Sequence, residues 1–314
     1  MAREQPAAPR RGSRHAIGPV LVTGADGFVG PYLLAELGEP AVPFQGDVRE
    51  PDELMAAVRE AAPVAVVHLA ARSSVGGSWG RSAETWQVNT AGTVNLVDAV
   101  LEAAPQARLL FVSTGEVYGR AEDLPTKESS RTAPLSPYAA SKLAAEIACE
   151  QAARSAGLQV VVARAFQHEG PGRDERFAIG SWTRQIAELE LRGGGELLVG
   201  DLSGERDMTD VRDVCRAYRL LLDPAVPPGT YNVASGRKYS LAQIVEMLVE
   251  SARAPVSVSV DTARLRPSEI EVVWGDPSKL EQATGWKPDI PIRQTLEDAL
   301  DYARAVVSGK VAST

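Results

Sequence analysis

Tyr138 and Lys142 are the two residues whose types and spacing indicate proton transfer most directly. They stand four positions apart in a segment, Pro137–Ser155, that we predict to be helical, so their side chains share one helix face. Ser136 is a suitable N-cap for this helix, and proline suits its first turn. A phenol has a reference pKa of about 10 and works near neutral pH only where a positive charge favours the phenolate. Lys142 supplies such a charge, which makes Tyr138 a candidate general acid–base.

Thr114 offers a hydroxyl group for the same chemistry. It follows the apolar run Leu109–Ser113, which is typical of a buried strand. Ligands of parallel α/β sheets bind at the carboxyl ends of the strands, so we expect Thr114 to face a ligand there. Beside Tyr138, its hydroxyl would hold a reacting carbonyl oxygen that the phenol protonates.

A glycine-rich turn follows the first predicted strand and opens the first predicted helix. Its first glycine allows a tight turn, its second lets the backbone approach a pyrophosphate, and its third lets helix and strand pack closely. The N-terminus of the helix offers unpaired N–H groups and a partial positive charge to the anion. The candidate dinucleotide contacts of this turn are Gly24, Asp26, Gly27, Phe28, Val29 and Gly30.

A parallel sheet is the element that must position these residues. From Pro19 onward, short apolar runs alternate with Ala/Leu/Glu-rich stretches, a pattern typical of βαβ units in a sheet that is buried on both faces. The predicted fold class is therefore α/β, a doubly wound parallel sheet of the Rossmann type. The predicted strands are Val20–Thr23, Val64–Leu69, Leu109–Ser113 and Val160–Arg164, and the predicted helices between them are Phe28–Leu37, Pro51–Ala61, Ala83–Ala103 and Pro137–Ser155.

The pattern changes after about residue 165, where Gly and Arg become frequent and the helices are interrupted. We predict an NAD(P)-binding Rossmann domain over residues 19–165, to which some later segments return, and a smaller α/β lobe over residues 166–314 that binds the substrate. Residues 1–18 are basic and rich in Pro, Gly and Ala, and they lack the apolar stretch of a signal peptide. They are predicted to be a disordered leader.

The composition excludes several classes of protein. The 314 residues carry a net charge of −8, whereas a general nucleic-acid binder needs a basic face, so we expect no nucleic-acid partner. No run of about 18 apolar residues occurs, so we expect no membrane span. The two cysteines and three histidines lack the spacing of a disulfide framework or a metal site. The expected compartment is the cytoplasm.

The GxxGxxG spacing, together with Thr114, Tyr138 and Lys142, resembles the extended branch of the short-chain dehydrogenase/reductase superfamily, also called the NAD-dependent epimerase/dehydratase family. The resemblance implies that Asp47 contacts the adenine of a coenzyme; the alternative role for Asp47 is to cap the helix that begins at Pro51. It also implies coenzyme contacts by Tyr138 and Lys142 themselves. The other implied coenzyme contacts are Val48, Leu69, Ala70, Ala71, Ser73, Asn89, Ser113, Ala165 and His168.

The coenzyme that this resemblance implies is NAD or NADP. Specificity for NAD rests on an acidic residue at the end of the second strand, and specificity for NADP on a nearby Arg or Lys. The segment Ala41–Gly46 carries neither charge. The lack of an acidic residue favours NADPH, with NAD as the alternative. Arg49 is close enough in sequence to bind the 2′-phosphate of NADPH. The alternative is that Arg49 is a solvated surface residue, which the sequence fits equally well.

Motifs in the second half resemble nucleotide-sugar-modifying members of the family. They are most similar to GDP-4-keto-6-deoxy-D-mannose reductases, with GDP-mannose 4,6-dehydratases as near relatives, and the runs Arg164–Gly172 and Arg264–Glu269 discriminate best. The resemblance implies that arginines neutralise a nucleoside diphosphate, although surface arginines in loops would look alike. Gln167 replaces the usual asparagine, which leaves the placement of the sugar and the nucleotide open. The implied substrate contacts are Ser74, Thr114, Glu116, Gln167, Arg206, Arg266 and Glu269.

Reductases and dehydratases share the same catalytic trio. A dehydratase needs one more base, usually a glutamate after the threonine, and Glu116 stands there, so it joins Thr114, Tyr138 and Lys142 as a candidate catalytic residue. The run that ends at Arg173 and the lack of an arginine-rich stretch after the second strand favour an NADPH-dependent 4-ketoreductase. The alternatives are a dehydratase or epimerase, a dTDP-sugar 4-ketoreductase, and a non-catalytic coenzyme-bound sensor. The helices Ala83–Ala103 and Pro137–Ser155 are Ala-rich and suited to close packing, and the family resemblance implies a homodimer that forms through them as a four-helix bundle.

Overall fold

Six parallel strands form the main sheet of the computed structural model, in the order β2-β1-β3-β4-β5-β9. The structure describes residues 18–265 and 270–311, so the predicted leader up to residue 17, and the predicted contacts Arg266 and Glu269, lie outside the described residues. The strands are β1 (Val20–Thr23), β2 (Ala41–Pro43), β3 (Ala65–His68), β4 (Arg108–Thr114), β5 (Gln159–Ala165), β6 (Gln167–Glu169), β7 (Gly195–Val199), β8 (Glu205–Asp210), β9 (Gly229–Val233), β10 (Lys238–Ser240), β11 (Val256–Val260) and β12 (Val272–Val273).

Helices cover both faces of this sheet, which confirms the predicted doubly wound α/β fold. Alternate residues of β1 point to opposite cores: Val20 and Val22 pack against α1 and α8, whereas Leu21 packs with α2, α5 and α6. This is why the strand is buried at every position and its first three residues are apolar. The helices are α1 (Gly30–Leu37), α2 (Pro51–Ala61), α3 (Val75–Ser78), α4 (Ser82–Trp86), α5 (Gly92–Ala103), α6 (Pro137–Ala156), α7 (Ala178–Leu191), α8 (Val211–Leu221), α9 (Leu241–Glu250), α10 (Ser278–Thr284) and α11 (Ile292–Val307).

The second half builds its own small sheets around β8. This strand pairs with β10, β12 and β6, and a separate parallel pair joins β7 to β11. Apolar side chains of α7, α9 and α11, among them Trp182, Ile244 and Leu296, form a core beneath these strands. Strand β9 and helix α8 return to the main sheet, so the two halves of the chain interleave.

Two local features differ from the sequence-based expectation. The predicted continuous helix Ala83–Ala103 is interrupted by a π-helical turn, Gln87–Ala91, between α4 and α5. The side chain of Asn89 in this turn bonds to Arg72 and Ser141 rather than to its own helix, and such turns are frequent near functional sites. Strand β9 was not predicted, because its five residues include Gly, Thr and Asn in place of a continuous apolar run.

Candidate active site

A cleft of about 1110 Å³ opens at the carboxyl ends of strands β1, β3, β4 and β5. Thr114, Tyr138 and Lys142 line it from the first half of the chain, and Gln167 and Arg206 line it from the second half. The cleft therefore lies where ligands bind in doubly wound sheets. Residues 18–265 and 270–311 hold no cluster of three or more side chains suited to binding a metal ion.

The glycine turn is shaped by close backbone contacts. A Cβ at Gly24, where φ is +69°, would lie 2.6 Å from the backbone N of Ala70. A Cβ at Gly30 would lie 2.1 Å from the carbonyl oxygen of Ala25, so only glycine lets α1 start this close to β1. A Cβ at Gly27 would lie no closer than 3.4 Å to another atom, and the residue lines the cleft. This cradle at the N-terminus of α1 fits the pyrophosphate of a dinucleotide.

His68 fixes the strand ends behind the glycine turn. Its Nδ1 lies 2.7 Å from Oγ1 of Thr23, and its Nε2 lies 2.9 Å from Oγ1 of Thr93. Burial lowers the pKa of His68 to about 3, and the charge of Lys142 acts in the same direction, so the ring is neutral. The histidine thereby ties β1 and β3 to α5 as an uncharged hydrogen-bonding bridge.

Tyr138 and Thr114 meet in the cleft, where both are almost fully buried. Burial raises the pKa of Tyr138 to about 12; a hydrogen bond with the Thr114 side chain lowers it, Glu116 raises it, and Arg173 lowers it. Burial outweighs the two groups that lower the pKa of Tyr138, so the lowering expected from Lys142 is not seen. The phenol is therefore protonated at neutral pH and is ready to act as an acid rather than as a base.

Lys142 lies one helical turn beyond Tyr138 and is 2% exposed. Its Nζ is 4.3 Å from the centroid of the Phe111 ring, a distance at which a cation is attracted to the ring face. Burial lowers the pKa of Lys142 to about 8, while Cys149 and Glu146 raise it. The lysine is thus still mostly charged at neutral pH, and it lines the cleft.

Asp47 and Arg49 form an ion pair at the end of the cleft that lies after β2. The carboxylate of Asp47 accepts hydrogen bonds from the backbone N–H and the side chain of Arg49, and these bonds hold its pKa below the ordinary range. Helix α2 has Glu50 as its N-cap and shows no side-chain capping bond. The alternative role of Asp47 as a helix cap is therefore wrong.

Arg173 reaches the cleft from the loop after β6. Its guanidinium lies 4.8 Å from the ring centroid of Phe28 in the glycine turn and 3.7 Å from that of Phe177 before α7. Its Nε is 3.5 Å from a carboxylate oxygen of buried Glu169. The arginine thus connects the glycine turn to the second lobe. His168 stacks on Phe28 from the same side, and burial lowers its pKa to about 4.

Arg206 is held in β8 by backbone carbonyl groups. It donates to the carbonyl oxygens of Glu205 at 2.8 Å, Glu271 at 3.1 Å and Ile270 at 3.1 Å. A guanidinium has five N–H donors, so within the described residues its Nε–H and one Nη2–H are not engaged by these carbonyls. Burial lowers the pKa of Arg206, and an anion in the cleft would favour the charged form.

Most of the residues that the sequence indicated line this one cleft. They are Gly24, Asp26, Gly27, Phe28, Val29, Asp47, Val48, Leu69, Ala70, Ala71, Ser73, Ser113, Thr114, Glu116, Tyr138, Lys142, Ala165, Gln167, His168 and Arg206.

Three indicated residues do not line it. Gly30 packs against Ala25 behind the turn, Ser74 caps α3 by accepting from the N–H of Gly77, and Asn89 is fully buried beneath the cleft.

Sequence reasoning missed four cleft residues that could bind or orient a ligand. Arg72 pairs with Glu84 at 2.5 Å on the wall formed after β3, and Arg173 with Phe177 forms part of the wall of the second lobe. Arg72 stands within the run His68–Ser74, which already indicated the coenzyme, so the signal was present there. Arg173 was used only to compare families.

Comparisons with known proteins agree with the geometry of the cleft. The family model of GDP-mannose 4,6 dehydratase matches residues 38–299. GDP-6-deoxy-D-mannose reductase of Pseudomonas aeruginosa is 39% identical in a comparison 291 positions long that covers 90% of this chain and 95% of the relative. GDP-mannose 4,6-dehydratase of Vibrio cholerae is 28% identical over 79% of this chain and 75% of the relative.

A similar solved structure is that of RMD from Pseudomonas aeruginosa complexed with NADPH. It superposes with a TM-score of 0.85 at 37% identity and covers 92% of this chain and 99% of that chain. The predicted family is confirmed over most of the described residues. This chain belongs to the GDP-mannose 4,6-dehydratase family of extended short-chain dehydrogenases/reductases.

Proposed function

We propose that this protein is an NADPH-dependent reductase of the 4-keto group of GDP-4-keto-6-deoxy-D-mannose. The observation that carries the proposal is the buried, protonated Tyr138, hydrogen-bonded with Thr114 in a cleft that begins at the glycine turn. The 39% identity with a GDP-6-deoxy-D-mannose reductase supports the substrate class. The NADPH complex of the similar structure supports the coenzyme.

In this proposal, Tyr138 donates its phenolic proton to the carbonyl oxygen of the sugar. A pKa of about 12 keeps the phenol protonated across the neutral range, which is the state that a proton donor requires. Thr114 holds the same oxygen and stabilises the negative charge that develops there. The ammonium group of Lys142 then compensates the phenolate that remains. NADPH, when bound, supplies the hydride that the carbonyl carbon receives.

We assign the coenzyme to the part of the cleft between the glycine turn and Lys142. The backbone N–H groups around Gly27 would hold the pyrophosphate, Asp47 and Val48 would border the adenine, and Lys142 would bind ribose hydroxyl groups. Arg49 stands beside Asp47 at the outer end of the cleft. We therefore assign it the 2′-phosphate, the group that distinguishes NADPH from NAD.

The substrate would lie between Tyr138 and the second lobe. Arg206 faces this space with donors that are suited to the oxygens of a diphosphate. Gln167 donates to Glu169 at 3.0 Å, so the side-chain amide is oriented before any sugar binds. By the family resemblance, Arg266 and Glu269 would add ribose and phosphate contacts.

A GDP-mannose 4,6-dehydratase is the second candidate function, and one observation favours it. Glu116 lines the same cleft as Tyr138, and its negative charge raises the pKa of Tyr138, so we assign it the role of the additional base that a dehydratase needs. A dehydratase returns its hydride to the sugar and has no net use of NADPH. Net coenzyme consumption therefore distinguishes the two activities.

We propose that two copies of the chain pair through α5 and α6 as a four-helix bundle. Apolar side chains are exposed on this side of the molecule: Trp86 is 41% exposed, Val94 38% and Ile147 56%. Burying such side chains between two copies would be favourable. Light scattering tests this proposal, and a monomeric mass at micromolar concentration would contradict it.

We place the reaction in the cytoplasm. Both cysteines, Cys149 and Cys215, are buried free thiols, which is in keeping with a reducing compartment. No helix within residues 18–265 and 270–311 combines the length and the apolar character that crossing a membrane requires.

The proposed function is tested by following the absorbance of NADPH at 340 nm. We expect absorbance to fall when GDP-4-keto-6-deoxy-D-mannose is added and to stay constant with GDP-mannose. Conversion of GDP-mannose to the 4-keto-6-deoxy sugar without a net change in NADPH would select the dehydratase. A constant signal with NADPH and the keto sugar, in a chain that binds NADPH, would contradict the reductase.

A further inference from the structure

Two further buried charged residues, Glu146 and Arg164, accompany Lys142 of the catalytic trio. Glu146 follows Lys142 by four residues on the buried face of α6, and Arg164 lies opposite on β5. Glu146 is 1% exposed, Lys142 2% and Arg164 6%. The Nη2 of Arg164 is 2.7 Å from one carboxylate oxygen of Glu146, and its Nε is 3.1 and 3.2 Å from the two oxygens. The carboxylate is thus ion-paired with Arg164, and Lys142 stands one helical turn before it on α6.

The same carboxylate is bonded to the strand that carries Thr114. Ser113, the residue before Thr114 in β4, donates its hydroxyl to Glu146. Arg164, the other partner of Glu146, contacts the aromatic ring of Tyr118: its guanidinium lies 4.8 Å from the ring centroid. The hydroxyl of Tyr118 in turn donates to Asn232 of β9 at 2.7 Å. Glu146 therefore connects α6 to both strands whose ends form the catalytic part of the cleft.

We propose that Glu146 is a positioning residue for catalysis: its carboxylate holds Ser113 and Arg164 in place and keeps the buried Lys142 in its charged form. An ammonium group away from water is unstable unless a negative charge lies nearby. At a spacing of one helical turn, Glu146 is near enough to supply that charge through a medium of low dielectric constant. Arg164 weakens this effect of Glu146 on Lys142, because the positive charge of Arg164 is paired with the same carboxylate.

The expected effect of Glu146 has the same direction as its contribution to the pKa of Lys142, which burial lowers to about 8 and which Cys149 and Glu146 raise. His68 on β3 is neutral and adds no charge. Cys149 of α6, His68 of β3, and Tyr118 of the 3₁₀ turn Gly115–Tyr118 are the other titratable groups beside Lys142, Glu146 and Arg164. The carbonyl oxygen of Glu128 accepts from Arg164 at 3.5 Å, and Glu116 and Arg173 act on the neighbouring Tyr138.

A cycle of charge changes tests the inference. The variants are Glu146→Gln, Arg164→Gln and the double variant, and Glu150→Gln is the matched control, since Glu150 is an exposed carboxylate on the same helix. NADPH binding is measured by coenzyme fluorescence from pH 6 to pH 10, and folding is checked by thermal melting. The inference rests on the proposed function through the role of Lys142 at the coenzyme, and its readout is binding, which needs no turnover.

We expect the wild type to lose NADPH affinity with a midpoint near the Lys142 pKa of about 8. Glu146→Gln should lower the midpoint by about one pH unit, Arg164→Gln should raise it by about as much, and the double variant should return close to the wild type. Glu150→Gln should leave it unchanged. Shifts in the same direction for the two single variants, or none, would overturn the inference.

If Glu146 and Arg164 acted only on folding, both single variants would lose thermal stability. The pH midpoint of NADPH binding would then not move in opposite directions in the two variants. If Glu146→Gln does not fold, Arg164→Gln and the double variant still give the sign of the effect. The two tests can fail separately. If the pH midpoint of NADPH binding shifts in opposite directions but the protein does not reduce the keto sugar, the proposed function is refuted and the effect of Glu146 on Lys142 still holds.

Discussion

Gly24 is the position at which a single added methyl group most sharply tests the coenzyme cradle. In Gly24→Ala, the new Cβ would lie 2.6 Å from the backbone N of Ala70, well inside the 3.4 Å at which ordinary contacts begin. The strand end cannot easily retreat, because the N–H groups of Leu69 and Ala70 donate to Thr23 at 3.1 and 3.3 Å. The turn itself must move, and with it the backbone that faces the pyrophosphate.

The cost of this change follows from two terms. An alanine held at the φ of +69° found at Gly24 costs about 1–2 kcal/mol relative to glycine. Overpacking against backbone that is held in place adds about 1–3 kcal/mol. If the chain escapes this strain by shifting the turn, the loss appears in coenzyme binding. The smallest total, about 2 kcal/mol, corresponds to a roughly 30-fold increase in the Kd for NADPH.

Gly38→Ala is the matched control for this prediction. Gly38 has a similar φ of +72° but has no atom within 4 Å of the added Cβ. We expect it to lose about 1–2 kcal/mol of stability and to bind NADPH like the wild type. The assay is a fluorescence titration with NADPH beside urea unfolding of both variants. Equal affinity of Gly24→Ala and the wild type would refute the cradle and the assignment of the pyrophosphate to it.

Three further predictions concern stability and substrate. Burial lowers the pKa of His68 to about 3 and that of His168 to about 4, so below about pH 6 each takes up a proton more readily in the unfolded chain and contributes a fall of about 1.4 kcal/mol per pH unit to the free energy of unfolding. Asp207, whose pKa burial raises to about 6, contributes with the opposite sign, so a net fall of about 1.4 kcal/mol is expected between pH 6 and pH 5; urea unfolding with equal stability at the two pH values would contradict this. Arg206→Lys loses the guanidinium fork and should raise the KM for the keto sugar by about 10- to 100-fold with an unchanged Kd for NADPH; steady-state kinetics with an unchanged KM would refute the diphosphate assignment. Thr114→Val should lower kcat by about 100-fold and Thr114→Ser should restore most of it; if Thr114→Val keeps its kcat, the hydroxyl does not hold the reacting oxygen.

Much of the first half of the fold follows directly from local pattern. Strand β1 is buried at each of its four positions and apolar at the first three because it is covered by helices on both faces, and that apolar run is visible in the sequence. The glycine turn is equally local, since Gly24 and Gly30 are required by contacts with segments that a βαβ unit always brings together. The spacing of Tyr138 and Lys142 needs only one helix to place both side chains in the cleft.

Residues whose position depends on distant segments were harder to predict. Arg173 faces the cleft because Phe28 and Phe177, which are far apart in sequence, lie on either side of its guanidinium. Asn89 is polar and close to the coenzyme strands in sequence, yet its side chain bonds to Arg72 and Ser141 beneath the cleft. Neither arrangement leaves a local pattern, because each depends on how separate elements pack.

The central claim is that Tyr138 transfers the proton during reduction of a keto sugar by NADPH. Tyr138→Phe removes one hydroxyl from a buried ring, so we expect wild-type folding and a Kd for NADPH within about threefold of the wild type. The rate of NADPH consumption at 340 nm with GDP-4-keto-6-deoxy-D-mannose should fall by about 100- to 10,000-fold. A variant that folds, binds NADPH and reduces the keto sugar at nearly the wild-type rate would contradict the claim.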